Sequence, residues 1–126
     1  MNISQPMVVS FDFDDTLCLA HGKPNEYIVQ KLLCYHCNGH PCIIVTARNQ
    51  EHESEDWFRD NQPERTTILS FLKNYNLPIK KIYFTNHNPK GPLLQNLNVM
   101  AHYDDKDEEL ESAIQCGINA IKVYKD

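Results

Sequence analysis

The sequence predicts an α/β fold, a parallel five-stranded sheet with helices on both faces, formed as a single domain over residues 1–126. Three observations carry this reading. Short apolar runs of strand length alternate with segments whose apolar residues recur at helical spacing. Most connections between them are too short for anything but a helix to serve as the crossover that parallel neighbours need. Finally, the polar residues of chemical interest follow the apolar runs directly, at the strand ends where open parallel sheets bind ligands.

Met7 to Phe11 is the first apolar run, ending at Asp12, and Pro24 favours the start of a helix. From Asn25 the positions Ile28, Val29, Leu32 and Leu33 follow a helical stripe, and Gly39 supplies a residue able to take positive φ just past its end. Cys42 to Val45 is the second strand, with Thr46 at its C-terminal end. Residues 47–62 lack periodicity and carry two Arg against five Asp or Glu, so they are read as a long, mobile, partly acidic connection. Pro63 is expected to open a helix with the stripe Ile68, Leu69, Leu72 and Tyr75, ending near Asn76 and Pro78. Lys81 to Thr85 is the third strand, and Pro92 starts a short helix through Leu97. Val99 to Tyr103 is the fourth strand; Glu108 to Cys116 is a helix that Gly117 closes before a fifth strand at Ile118 to Tyr124.

Composition is that of an ordinary globular chain, 41% hydrophobic and 23% charged. The net charge of −5 argues against a dedicated nucleic-acid binder, and residues 104–111 alone carry −5, leaving the remainder near neutral. No window is apolar enough to span a membrane, and Met1 to Phe11 lacks the features of a secretory leader. Five cysteines without a regular framework fit a reducing, cytoplasmic setting. Cys34, Cys37, His40 and Cys42 invite a zinc reading, but four ligands so close together would need a very tight knuckle, and buried or helix-end cysteines explain them more simply. The six histidines show no metal-ligand spacing on a common face.

The chemistry concentrates in two acidic clusters that each follow a strand. The first is Phe11-Asp12-Phe13-Asp14-Asp15-Thr16 and the second His102-Tyr103-Asp104-Asp105. A bland alternative exists for each: an Asp-rich turn for the first, and for the second a helix cap at Asp105 or Asp107. Asp104 lies before any cap. Carboxylates converging at one sheet edge repel unless a cation compensates, and Mg²⁺, which keeps waters and leaves room for a phosphate oxygen, is the natural candidate. No glycine-rich nucleotide loop occurs.

At these residues the chain resembles the haloacid dehalogenase superfamily of aspartate-nucleophile phosphatases. The matching motifs are Asp12, Asp14 and Thr16; Thr46 in Ile44-Val45-Thr46-Ala47-Arg48; Lys90 in Asn88-Pro89-Lys90-Gly91; and Asp104-Asp105, in the family's order and across nearly the whole chain. The resemblance implies a three-layer Rossmann-like domain and a Mg²⁺-dependent phosphomonoesterase. Asp12 is then the nucleophile and Asp14 the general acid and base. Thr46 and Lys90 hold the phosphoryl oxygens. Asp12, Asp104 and the main-chain carbonyl of Asp14 bind the metal, with Thr16 and Asp105 supporting them from behind. Lys73, Lys80 and Lys81 compete with Lys90 for the lysine role, but Lys80 and Lys81 belong at the far end of the third strand.

Neither position where this family commonly inserts a cap domain has room for one. The site is therefore expected to be open unless residues 47–62 cover it, and to act on a phosphorylated metabolite or a larger phosphorylated substrate. A polynucleotide 3'-phosphatase is an alternative, although the charge does not indicate nucleic acid; a non-catalytic phosphate-binding domain is another. A response-regulator receiver is excluded by motif order, because the position after the third strand holds Thr85-Asn86. Arg48 either touches substrate or pairs with Glu51, Glu53 or Glu55, and Trp57 and Phe58 are either a stacking platform or core.

Overall fold

The computed structural model describes residues 7–124; the first six residues of the stretch assessed for a leader lie outside the described residues. Five strands, β1 (Val8–Phe11), β2 (Cys42–Thr46), β3 (Lys81–Phe84), β4 (Val99–Asp104) and β5 (Asn119–Lys122), form one sheet in the order β3-β2-β1-β4-β5. Every pairing is parallel. The helices are α1 (Glu26–Cys37), α2 (Glu55–Asn61), α3 (Ile68–Tyr75), α4 (Gly91–Asn96) and α5 (Asp107–Gln115). The result is a Rossmann-like three-layer α/β architecture, as the alternation of elements predicts. Among the described residues no helix is long and apolar enough to cross a membrane.

Side-chain alternation along the strands divides the core between the two faces. In β2, Cys42 and Ile44 join Ile28 and Leu32 of α1 and Ile68 and Phe71 of α3, whereas Ile43 and Val45 join Leu94 of α4 and Ala113 of α5. β4 needs one correction to this parity. Val8 pairs with Val99 but Val9 pairs with Ala101, so the register shifts by one residue at Met100. Beyond that bulge Ala101 and Tyr103 face the α1 and α3 layer, and Ser10 lies opposite His102. The shift sets the direction of His102 and Asp104 at the strand's end.

Several readings are corrected. Residues 47–62 are not an irregular connection: a 3-10 turn at Gln50–His52 leads into α2, whose first turn is capped by Ser54 Oγ accepting from the Trp57 N–H at 3.1 Å. Seven residues are too few to show a helical period, so only the cap could have signalled it. The next helix starts not at Pro63 but at Ile68, where Thr67 Oγ1 accepts from the Ser70 N–H at 3.2 Å. Its buried residues are Ile68 and Phe71, while Leu69, assigned to the buried stripe, is 72% exposed. Asn76 ends α3 in the left-handed conformation. The fourth strand runs one residue further than expected and includes Asp104. Neither Asp105 nor Asp107 caps α5: Lys106 occupies the cap position, and its N–H donates to Asp104 Oδ1 at 3.1 Å.

Candidate functional site

Asp12 leaves the C-terminal end of β1 with its own N–H still donating to the Tyr103 carbonyl at 2.9 Å, so the carboxylate starts from a fixed strand position. Asp104 ends the neighbouring β4. Lys90 closes the group. Its Nζ donates to Asp12 Oδ1 at 2.9 Å and to Asp104 Oδ2 at 2.7 Å, with the lysine side chain only 1% exposed. Lys73, Lys80 and Lys81 make no such contact; Lys81 begins β3, at the opposite edge of the sheet.

The aim of Lys90 is set by how α4 starts. The Lys90 N–H donates to Glu109 Oε1 at 3.1 Å and the Gly91 N–H to Ser112 Oγ at 3.0 Å, so side chains of α5 satisfy the free donors of α4. Gly91 permits this approach, because a Cβ there would collide with the Ser112 backbone carbonyl. α4 is thus seated directly on α5, and Lys90 has a single direction to take.

Behind Asp104 lies a buried polar relay that sequence reasoning missed. His102 Nε2 lies 2.8 Å from Asp104 Oδ2, and His102 Nδ1 lies 2.6 Å from Ser10 Oγ. Since an ionised Asp104 only accepts, the arrangement assigns the His102 proton to Nε2 and makes Ser10 the donor to Nδ1. Burial holds the imidazole below its ordinary pKa, with Asp104 and Lys90 acting in opposite directions, so His102 is neutral. Its signal in the sequence was its place two residues before Asp104, which is the same face of one strand.

Asp12 and Asp104 differ in electrostatics although they share Lys90. Burial lifts the Asp12 carboxyl well above its usual range; the Lys90 charge offsets part of this and the Asp104 charge adds to it. Burial also acts to raise Asp104, but the His102 hydrogen bond and the Lys90 charge outweigh it, and Asp104 lies well below the usual carboxylate range. Thr16 Oγ1 donates to Asp12 Oδ2 at 3.2 Å and approaches Asp105 Oδ1 at 3.5 Å, linking the first cluster to the second.

Asp12, Asp104 and Asp105 each offer a carboxylate oxygen, all within 4.8 Å of one another. These hard oxygen donors, three carboxyl groups around the single positive charge of Lys90, suit a small divalent cation, which would also relieve the pressure on Asp12. The Asp14 carboxylate is turned elsewhere. Arg48 clasps it with a two-pronged fork, Nε to Oδ2 and Nη2 to Oδ1, both at 2.8 Å, and Arg65 Nη1 adds a third bond at 2.7 Å. Burial works against ionisation here, but the arginines prevail and the Asp14 carboxyl lies below its ordinary value.

Arg48 pairs with Glu53, one of the three partners weighed for it, and not with Glu51 or Glu55. Its Nη1 donates to Glu53 Oε2 at 2.8 Å and to the Thr66 carbonyl at 2.9 Å, and its guanidinium lies between the rings of Phe13 and Phe58, 4.9 and 4.7 Å from their centroids. Glu53 Oε1 meanwhile accepts from the Ile68 N–H at 2.9 Å. Residues 47–62 are therefore tied to Asp14, and Phe58 is core. Trp57 stacks on His52 at 4.2 Å and lines the cleft.

Thr46 is buried at the end of β2, and its Oγ1 accepts from the Arg48 N–H at 3.2 Å. It lines, with Asp12, Asp14, Arg48 and Lys90, a cleft of about 250 Å³ above the C-terminal edge of the sheet. The cysteines do not converge on it: Cys34 and Cys37 are exposed on α1, and burial pushes the Cys42 thiol up to about 11, as for a core residue. Residues 12–25 hold turns, the isolated β-bridges Asp14–Cys18 and Cys18–Pro24 and a 3-10 segment at Ala20–Gly22, and residues 85–90 hold only turns. No protein-family model and no curated protein matches the chain.

Proposed function

We propose that the protein is a phosphomonoesterase of the haloacid dehalogenase type that works through an aspartyl-phosphate on Asp12 with Mg²⁺ as cofactor. The observation that carries this is the buried ammonium of Lys90 bridging Asp12 and Asp104, with Thr46 on the same cleft. A carboxylate can approach a phosphate only where cations neutralise both, and a lysine fixed against the nucleophile meets that need without reorganising. Lys90 Nζ and the Thr46 hydroxyl hold phosphoryl oxygens while Asp12 attacks phosphorus and the ester P–O bond breaks. Water then attacks the acyl-phosphate and regenerates Asp12.

Asp14, two residues on, exchanges the protons of both steps. Held by Arg48 it is an aimed carboxylate, suited to take a proton from the attacking water. For the first step, in which it gives a proton to the leaving oxygen, its arginine contacts must loosen. Mg²⁺, held by Asp12, Asp104 and the Asp14 carbonyl, with Asp105 beside them, would supply further neutralisation of the phosphoryl oxygens. Serving a phosphorylated metabolite or a larger substrate depends on what the leaving group meets beyond Asp14.

The test is phosphate release from an aryl phosphate in the presence of Mg²⁺. The native protein turns over, and Asp12→Asn falls to background with an unchanged circular-dichroism spectrum, because an amide cannot form the acyl-phosphate. Turnover near the native rate in that variant refutes the mechanism.

A further inference from the structure

The two carboxylates of the first motif have separate cationic partners. Asp12 is bonded to Lys90, at the phosphoryl end of the cleft, and Asp14 to Arg48 and Arg65. The two arginines differ in what they are free to do. Arg48 is locked: four hydrogen bonds and two aromatic rings hold it, and its side chain is 10% exposed. Arg65 is 40% exposed, lines the same cleft, and holds Asp14 through one bond to an oxygen that Arg48 already satisfies. The Arg65 contact is thus surplus to aiming Asp14, since the Arg48 fork keeps both oxygens in place when Arg65 leaves.

From this we infer that Arg65 is a specificity residue that binds a second phosphate carried by the leaving group of the substrate. This rests on the phosphomonoesterase reading and names the substrate class of that site. A guanidinium exchanges a single carboxylate oxygen for a phosphate readily, because phosphate offers two oxygens to its fork and more charge. A neutral leaving group has nothing to offer Arg65, which then stays on Asp14 Oδ1. A second phosphate therefore does two things at once: it anchors the leaving group at Arg65, on the cleft that Trp57 and Gln62 also line, and it frees Asp14 from one of its two cations.

The experiment compares matched esters: a nucleoside 3',5'-bisphosphate against the 3'-monophosphate, and glycerol 1,3-bisphosphate against glycerol 1-phosphate. It measures kcat/KM in the native protein and in Arg65→Gln, and Kd by calorimetry in the non-reacting Asp12→Asn and Asp12→Asn/Arg65→Gln backgrounds. One charge-assisted contact predicts a preference of about tenfold or more for the bisphosphate in rate and in Kd, falling to about twofold or less in Arg65→Gln. Arg65 is exposed enough for the variant to fold, which a thermal melt verifies. A preference in the nucleoside pair alone assigns the second phosphate to a nucleotide, and one in both pairs assigns it to bisphosphate esters generally. No preference in either pair, or one that survives Arg65→Gln, overturns the inference. If no ester is hydrolysed at all, the phosphomonoesterase reading fails, and the Kd ratios still decide whether Arg65 binds phosphate.

Discussion

Replacing Lys90 by Met tests the electrostatic account of the site without requiring a substrate. The substitution keeps most of the side-chain volume and removes the ammonium 2.9 Å from Asp12 and 2.7 Å from Asp104. Both carboxylates are buried, so the loss of their shared cation leaves uncompensated charge, which costs about 3–5 kcal/mol. For a domain of this size that lowers Tm by roughly 10–20 °C. The penalty depends on pH in a definite sense. Burial and the Asp104 charge raise the Asp12 carboxyl in the folded protein, so its contribution favours folding most fully below the unfolded value near ~3.9 and is lost as pH rises through the raised folded value. Removing Lys90 raises it further. Asp104, held low by His102 and Lys90 against its burial, has the opposite linkage: its stabilisation is present above the unfolded value and lost as pH falls, and without Lys90 it is smaller. The Asp12 effect widens the gap between native protein and Lys90→Met from pH 5 to pH 8, whereas the Asp104 effect, already complete above the unfolded value, adds a constant amount across that range. Melts by circular dichroism in chelator at the two values measure it. A gap below about 1 kcal/mol, or one that widens toward acid, refutes the reasoning.

Three further outcomes are expected. Chelator abolishes turnover and Mg²⁺ restores it while raising Tm; Ca²⁺, with its larger and looser shell, competes without supporting turnover, and full activity in excess chelator would reject the metal assignment. His102→Ala removes one of the two donors to Asp104 Oδ2, leaving Lys90, and takes away the Nδ1 partner of Ser10, destabilising the protein by about 1–3 kcal/mol and weakening Mg²⁺ binding measured by calorimetry, and unchanged affinity would show that His102 does not orient Asp104. Glu53→Ala removes one of the two acceptors of Arg48 Nη1, leaving the Thr66 carbonyl, and the acceptor of the Ile68 N–H, so it lowers aryl-phosphate turnover, and deleting residues 51–60, which also removes Phe58, lowers it by more than about tenfold. Near-native turnover in the deletion would show that the 47–62 segment does not support the catalytic centre.

The parts of the site that the sequence revealed are those fixed by strand ends. Asp12, Thr46 and Asp104 each follow or end an apolar run, and parallel strands bring such ends to one edge whatever the loops do. Lys90 was legible through its position after the third strand, but its aim depends on Gly91 packing against Ser112, a contact between helices 21 residues apart. His102 was assigned no role because its partner Ser10 is 92 residues away and the pairing depends on the bulge at Met100. The segment 47–62 was misjudged because α2 is too short for periodicity, and what orders it is Arg48, Glu53 and Phe58 meeting around Asp14. Arg65 sits 51 residues from the carboxylate it touches, and no local pattern announces that pairing.

The central claim is that Asp12 becomes covalently phosphorylated. Mixing the native protein with Mg²⁺ and an aryl phosphate, quenching in acid during turnover and mapping the digest by mass spectrometry tests it directly. The account predicts one added phosphoryl group on the peptide containing Asp12, removed by hydroxylamine and absent from Asp12→Asn. Steady turnover with no phosphorylated Asp12 under these conditions, or a phosphoryl group on a different residue, would contradict it.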